Sequence, residues 1–157
     1  MLIKIFIVLA LTVLAVCLFF VYLSMTAKTP HLGLSNGRLS PCPPSPNCVS
    51  SEPGADATHR VDPLHFTETP EQAWLRLKQA IEALGGKVVE EKPGYLRAEF
   101  TSRIFRFVDD LECRLQPQDR LIHLRSASRV GHSDLGVNRA RVQNLQELLS
   151  ALLSQGT

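Results

Sequence analysis

The segment from Arg125 to Arg141, RSASRVGHSDLGVNRAR, holds the densest set of chemically capable side chains in the chain. Arg125, Arg129, Arg139 and Arg141 flank His132, Ser133, Asp134 and Asn138, with Gly131 and Gly136 between them. Guanidinium forks bind phosphate or carboxylate bidentately, and free amides at a helix start add partial positive charge. The glycines let backbone approach a ligand closely, so the segment reads as an anion site. It carries neither G-x-x-x-x-G-K nor G-x-G-x-x-G, the two nucleotide-binding spacings. Ser128 or Ser133 with His132 and Asp134 also supplies the residue types of nucleophilic hydrolysis. Neighbours in sequence rarely converge as a triad, however, and the G-x-S-x-G elbow is missing. A structural reading stands beside both. In it Ser133 and Asp134 form a turn, Asn138 caps a helix, and Arg129 or Arg139 pairs with Asp109, Asp110 or Asp134.

Asp109 and Asp110 are the second feature. Asp109 has the parity of Phe107, Leu111 and Cys113, so it points toward the core side of its strand. A buried carboxylate there must be paired, either with an arginine of 125–141 or with amides near Gly131. A catalytic or metal-binding use of the pair is the alternative. Cys42 and Cys48 lie in a Pro-rich loop and fit a disulfide of an exported protein. The competing readings are two free thiols or half of a metal site, but no second Cys/His pair of suitable spacing follows. Cys113 sits in a strand pattern and reads as a small buried hydrophobe.

The elements that must position these residues are well marked. Thr69, Pro70 and Gln72 form an N-cap, a first-turn proline and a capping box. Ala73, Trp74, Leu77, Ala80, Ile81 and Leu84 then recur at helical spacing, and Gly85-Gly86 ends the run. Strand patterns follow at about 87–91, 94–102, 106–116 and 120–130, too closely spaced for crossover helices. Leu64 to Thr67 offers a short extra strand. Val142, Leu145, Leu148, Leu149 and Leu152 mark a last helix, with Val137 and Val142 placed as a hydrophobic staple. The order α-β-β-β-β-α predicts an α+β two-layer sandwich: a four-stranded antiparallel meander with two helices on one face. Leu96, Ala98, Phe100, Leu111, Cys113, Ile122 and Leu124 make the helix-facing rows. The other face carries Arg97, Glu99, Asp110, Glu112, Arg114, His123, Arg125 and Arg129, and reads as a solvated charged surface or a polar platform.

Ahead of this domain, Ile5 to Leu23 runs 19 residues without a charge. At about 1.5 Å per residue it nearly spans a hydrocarbon core. An uncleaved anchor is the first reading; a cleaved signal, a lipoprotein signal ending at Cys17 and a buried soluble helix are the others. Lys4 on one side and Lys28 and Arg38 on the other leave the charge count nearly tied. A short N-terminal tail favours export of the remainder of the chain. Prolines 30, 41, 43, 44, 46, 53 and 63 forbid helix between, so 28–63 reads as extended linker and Cys loop. The division is thus 1–27 anchor or signal, 28–63 linker and loop, and 64–157 the α+β domain.

The chain has 157 residues, with 17 basic against 15 acidic side chains and a net charge of +2, which argues against a nucleic-acid binder. Four cysteines exclude a disulfide-dense scaffold.

Three stretches together carry a resemblance. PCPPSPNCVSS (41–51), Asp109-Asp110 and RSASRVGHSDLGVNRAR (125–141) resemble domain-of-unknown-function family 1499, from about Leu39 to the C-terminus. The resemblance implies a small, often membrane-anchored or exported bacterial protein, with relatives in photosynthetic organelles. It implies no activity, cofactor or catalytic residue. It does group the three stretches, and so implies that the Cys loop packs near the last strand and helix. The expectation is an inner-membrane, single-pass protein with an extracytoplasmic, non-catalytic domain and no cofactor. Its candidate ligand site is Asp109, Asp110, Arg125, Arg129, His132, Asp134, Asn138 and Arg139. A small anion or an envelope protein is the expected partner, with a hydrolase using Ser133 or Ser128 with His132, or an assembly scaffold, as alternatives.

Overall fold

A computed structural model describes residues 1–27, 30 and 32–154, without the side chains of 152–154. Lys28 and the side chain of Leu152 therefore lie outside the described residues. The first helix, α1 (Leu2–Thr26), is apolar and exposed along its length, and is long enough to cross a membrane. Only Ser24 in it is buried.

A two-residue hairpin follows, β1 (Leu34–Ser35) and β2 (Arg38–Leu39). Asn36 and Gly37 both take positive φ at its turn, as a tight hairpin with the right-handed strand twist requires. Then come β3 (Cys48–Ser50) and β4 (Leu64–His65). The helix α2 (Pro70–Ala83) starts as its sequence predicts: the Thr69 hydroxyl accepts from the Gln72 amide, and the Gln72 side chain accepts from the Thr69 amide. Ala73, Leu77, Ala80 and Ile81 form its buried stripe. Gly85 ends the helix at φ +84°, and Gly86 leaves room for Phe100, whose ring would lie 2.5 Å from an added Cβ.

The strands β5 (Lys87–Lys92), β6 (Tyr95–Thr101), β7 (Val108–Gln116) and β8 (Leu121–Ser128) form the expected meander, and α3 (Val137–Ser154) closes the chain. The sheet, however, has six strands rather than four. Its order is β3-β8-β7-β6-β5, and β4 also pairs with β8. Both additions lie along the outer edge of β8, with Cys48–Ser50 opposite 125–127 and Leu64–His65 opposite 121–122. β4 falls where the sequence offers a short extra strand at Leu64 to Thr67, whereas the three residues of β3 are too few to show alternation.

The helices cover one face, with Leu77, Ile81, Leu96, Leu111, Ile122, Leu124, Val142 and Leu145 in a single core. Cys113 is within it, and burial pushes its thiol well above the usual range, so it stays protonated. The opposite face departs from a solvated surface. Asp110, Glu112, Arg114, His123 and Arg125 are all buried. Residues 33–60, which we call the strap, run along the β8 edge through β3 and partly over this face, with the Gly33 amide on Glu112 and Glu52 on Arg114.

Candidate functional site

Asp109 and Asp110 are neighbours on β7, so their side chains leave opposite faces of the sheet. Each anchors a separate network, and the two carboxylates do not act as a pair.

On the helix side, Asp109 accepts from Arg141 Nη2 at 2.5 Å. The Arg141 guanidinium also stacks over Phe100, 4.4 Å from the ring centroid, and donates to Ser126 Oγ at 2.9 Å and to Asn138 Oδ1. Asn138 is fully buried. Its Nδ2 donates to the Asn47 carbonyl and to Ser128 Oγ, both at 3.0 Å, while its Oδ1 accepts from Ser126 Oγ at 2.6 Å. Asn47 in turn donates to the Gly131 carbonyl at 2.6 Å. One asparagine therefore ties α3, β8 and the strap together. Its capping role passes to Asp134, whose carboxylate accepts from the Asn138 amide at 2.7 Å and from the Gly136 amide at 3.1 Å. These helix-start amides are thus occupied by an internal anion.

On the strap side, Asp110 accepts from Arg129 Nε at 2.7 Å and Nη2 at 2.8 Å, and from Arg97 Nη1 at 3.0 Å. Both arginines also reach Glu99. Burial alone would raise the Glu99 carboxyl, but hydrogen bonds from Arg129 and Arg97 outweigh it and hold it below its usual range. Next along β7, Glu112 is fully buried. It accepts from the Gly33 amide at 2.7 Å, Tyr95 Oη at 2.9 Å and Arg125 Nη1 at 3.1 Å. Burial and the Glu112 charge together keep the Tyr95 phenol protonated. Arg114 grips Glu52 of the strap with two prongs, 2.7 and 3.0 Å, and Glu52 also accepts from the Leu39 amide. Here too burial raises the carboxyl, and the Arg114 and Leu39 bonds bring it below its usual range. His123 Nδ1 lies 3.0 Å from the Ser51 carbonyl.

The remaining candidates are spread out. Arg139 donates to the carbonyls of Thr58 and Arg60, at 2.7 and 2.8 Å, fastening the far end of the strap. His132 and Ser133 are exposed in the turn. Ser133 Oγ accepts from the Leu135 amide, and Ser128 Oγ is bonded to Asn138. Among the described residues neither serine shares a hydrogen bond with His132. Nor, among them, does any group of three or more His, Cys, Asp or Glu assemble as a metal site. Arg125 keeps one buried donor, Nε, without a partner among the described residues.

Cys42 and Cys48 are joined in a disulfide, with Cα atoms 5.7 Å apart. Beside it the strap encloses an open cleft of about 650 Å³, lined by the β1–β2 turn, Arg38, Ser40, Cys42, Ser50 and the 52–59 turn. His59 forms one wall; its Nδ1 lies 2.8 Å from Asp56 Oδ2 and its Nε2 3.2 Å from the Ser45 carbonyl.

Residues 38–149 match the family described as protein of unknown function, DUF1499. The chain belongs to this family. No curated protein and no solved structure matches it. The DUF1499 region begins at β2 and so takes in the strap from residue 38 onward. Its three motif stretches meet in space: the cystine loop pairs with β8 through β3, Asn47 reaches Asn138 and Gly131, and Asp109 and Asp110 hold Arg141 and Arg129.

The sequence reading missed Glu52 as a member of the site; it had Asn47 only within the grouped cystine loop and Arg141 only as one of several arginines that could pair with Asp109. Arg97, Glu99, Glu112 and Arg114 were visible as a charged row on central strands.

Proposed function

We propose that this chain is a membrane-anchored, non-catalytic binding module. In this reading α1 holds it in the inner membrane and the domain faces the extracytoplasmic side. The Cys42–Cys48 disulfide supports that side, since such bonds persist in oxidising compartments. The cleft beside the disulfide takes a small anionic ligand. The observation that carries this is the division of labour among the charges. Glu52 in the cleft is paired with Arg114 and Asp56 is hydrogen-bonded to the His59 ring, whereas Arg38 has no side-chain partner among the described residues. Ser35, Asn36 and Ser40 line the same cleft, likewise without side-chain bonds among those residues. Of the eight sequence candidates, Asn138 and Arg139 then serve the ligand indirectly by fastening the strap, while Asp109, Asp110, Arg129 and Asp134 brace the sheet and α3 on which it rests. Arg125 pairs with buried Glu112 and does not line the cleft.

The test is native mass spectrometry of the full chain released gently from its own membrane. A reproducible small added mass, lost on Arg38→Ser without a change in melting temperature, supports the reading. A bare mass for the parent chain overturns it.

A further inference from the structure

The loop between β6 and β7, residues 102–107 (SRIFRF), touches the membrane-spanning helix. Phe105 and Phe107 pack on Phe20, with ring centroids 5.3 and 6.1 Å away, and the Ser24 hydroxyl donates to the Arg106 carbonyl. The loop is held in shape by two bonds between Ser102 and Phe107, amide to carbonyl at 2.8 Å and amide to hydroxyl at 2.9 Å. Phe20 lies inside the uncharged run that ends at Leu23, roughly 5 Å below that end at about 1.5 Å per residue. A loop seated on Phe20 therefore stands at the depth of the bilayer surface.

Its free side chains suit that depth. Ile104 is 74% exposed, and Arg103 and Arg106 are exposed without side-chain partners among the described residues. The loop has no carboxylate of its own. The 129–136 turn leaves the sheet at the same end, because Thr101 pairs with Val108, Asp109 with Ser128, and the Arg129 amide donates to the Val108 carbonyl. That turn exposes Leu135 by 95%, and its one carboxylate, Asp134, is spent on α3 amides. Among the described residues Leu135 and Ile104 are the two most exposed large hydrophobics outside α1.

We infer that this end of the domain rests on the bilayer, with Ile104 and Leu135 in the acyl boundary and Arg103 and Arg106 on the phosphates of anionic lipid. Cationic side chains flanking apolar tips are how interfacial elements hold a membrane surface. The turn after β8 thus acquires a second role, adding Leu135 to the surface that rests on the lipid. This rests on the anchor reading of α1.

The experiment uses the full chain in phosphatidylcholine vesicles with brominated acyl chains, with and without phosphatidylglycerol. Single tryptophans are placed in a Trp74→Phe background by Phe19→Trp, Ile104→Trp, Leu135→Trp and Val89→Trp. Bromine quenching is expected at 19, 104 and 135 and not at 89, on the outer strand β5. Phosphatidylglycerol should deepen quenching at 104, and Arg103→Ser with Arg106→Ser should abolish that increase. Quenching at 19 with 104 and 135 as bright as 89 overturns the inference and leaves the anchor standing. Loss of quenching at 19 as well overturns both. Quenching at 104 that ignores phosphatidylglycerol overturns the assignment of the arginines to lipid phosphate.

Discussion

Removing Arg129 should destabilise the domain as a whole. Asp110 is 1% exposed and receives two prongs from Arg129 and one from Arg97. In Arg129→Ala the carboxylate stays buried with a single donor, and Glu99 must compete for the same Arg97. Breaking a buried pair from one side costs about 3–5 kcal/mol, because the charge left behind is neither solvated nor matched. Arg97 keeps part of that interaction, so we expect about 3 kcal/mol. For a domain of this size that corresponds to a fall in Tm of roughly 10 °C. Arg129→Lys retains the charge but not the planar fork, and should fall between the two. The assay is thermal unfolding of the full chain in detergent, followed by Trp74 fluorescence. If Arg129→Ala melts within about 2 °C of the parent, a shift too small for a buried pair, the guanidinium is not structural. If it melts like the parent and loses a bound mass, Arg129 contacts the ligand directly, and the division of labour among the charges is wrong.

Asn138→Ala should cost about 3 kcal/mol, since it leaves the Asn47 carbonyl and the Ser126 and Ser128 hydroxyls short of partners. The strap should then loosen first, seen as faster trypsin cleavage at Arg38 and Arg60; unchanged cleavage would deny Asn138 its role as a clasp. Reducing Cys42–Cys48, which closes a loop with a sequence separation of 6, should cost about 2 kcal/mol through the unfolded chain. Chemical denaturation with and without reductant checks it, and identical midpoints would refute it. Glu52 and Glu99 both take up a proton less readily folded than unfolded, so their contribution is complete above about pH 4.5 and is lost as pH falls through their lowered values. Stability measured down to about pH 3 should show that acid limb, and Glu52→Gln should flatten it; an unaltered limb would place the titration elsewhere.

The features legible in the sequence are those that local rules govern. Thr69, Pro70 and Gln72 specify the start of α2, because a cap is made by residues three apart. Alternation places Leu96, Ala98, Leu111, Cys113 and Leu124 in one core row, and assigns Asp109 to the helix side with an arginine as its partner. The apolar run from Ile5 to Leu23 announces a helix able to cross a membrane. Which arginine serves which carboxylate is not legible. Arg129 and Arg141 lie on different faces, and the choice depends on where β8 ends and α3 begins. Nor can the sequence show that residues 33–60 run partly over the charged face. Two- and three-residue strands carry no periodicity, and prolines that exclude helix do not say what the extended chain lies against. It is three-dimensional packing that turns a row of charges with the pattern of a solvated face into a buried layer. Burial is a property of what packs on top, and here the cover comes from residues some 60 to 80 positions away in the chain, Glu52 on Arg114 and Gly33 on Glu112.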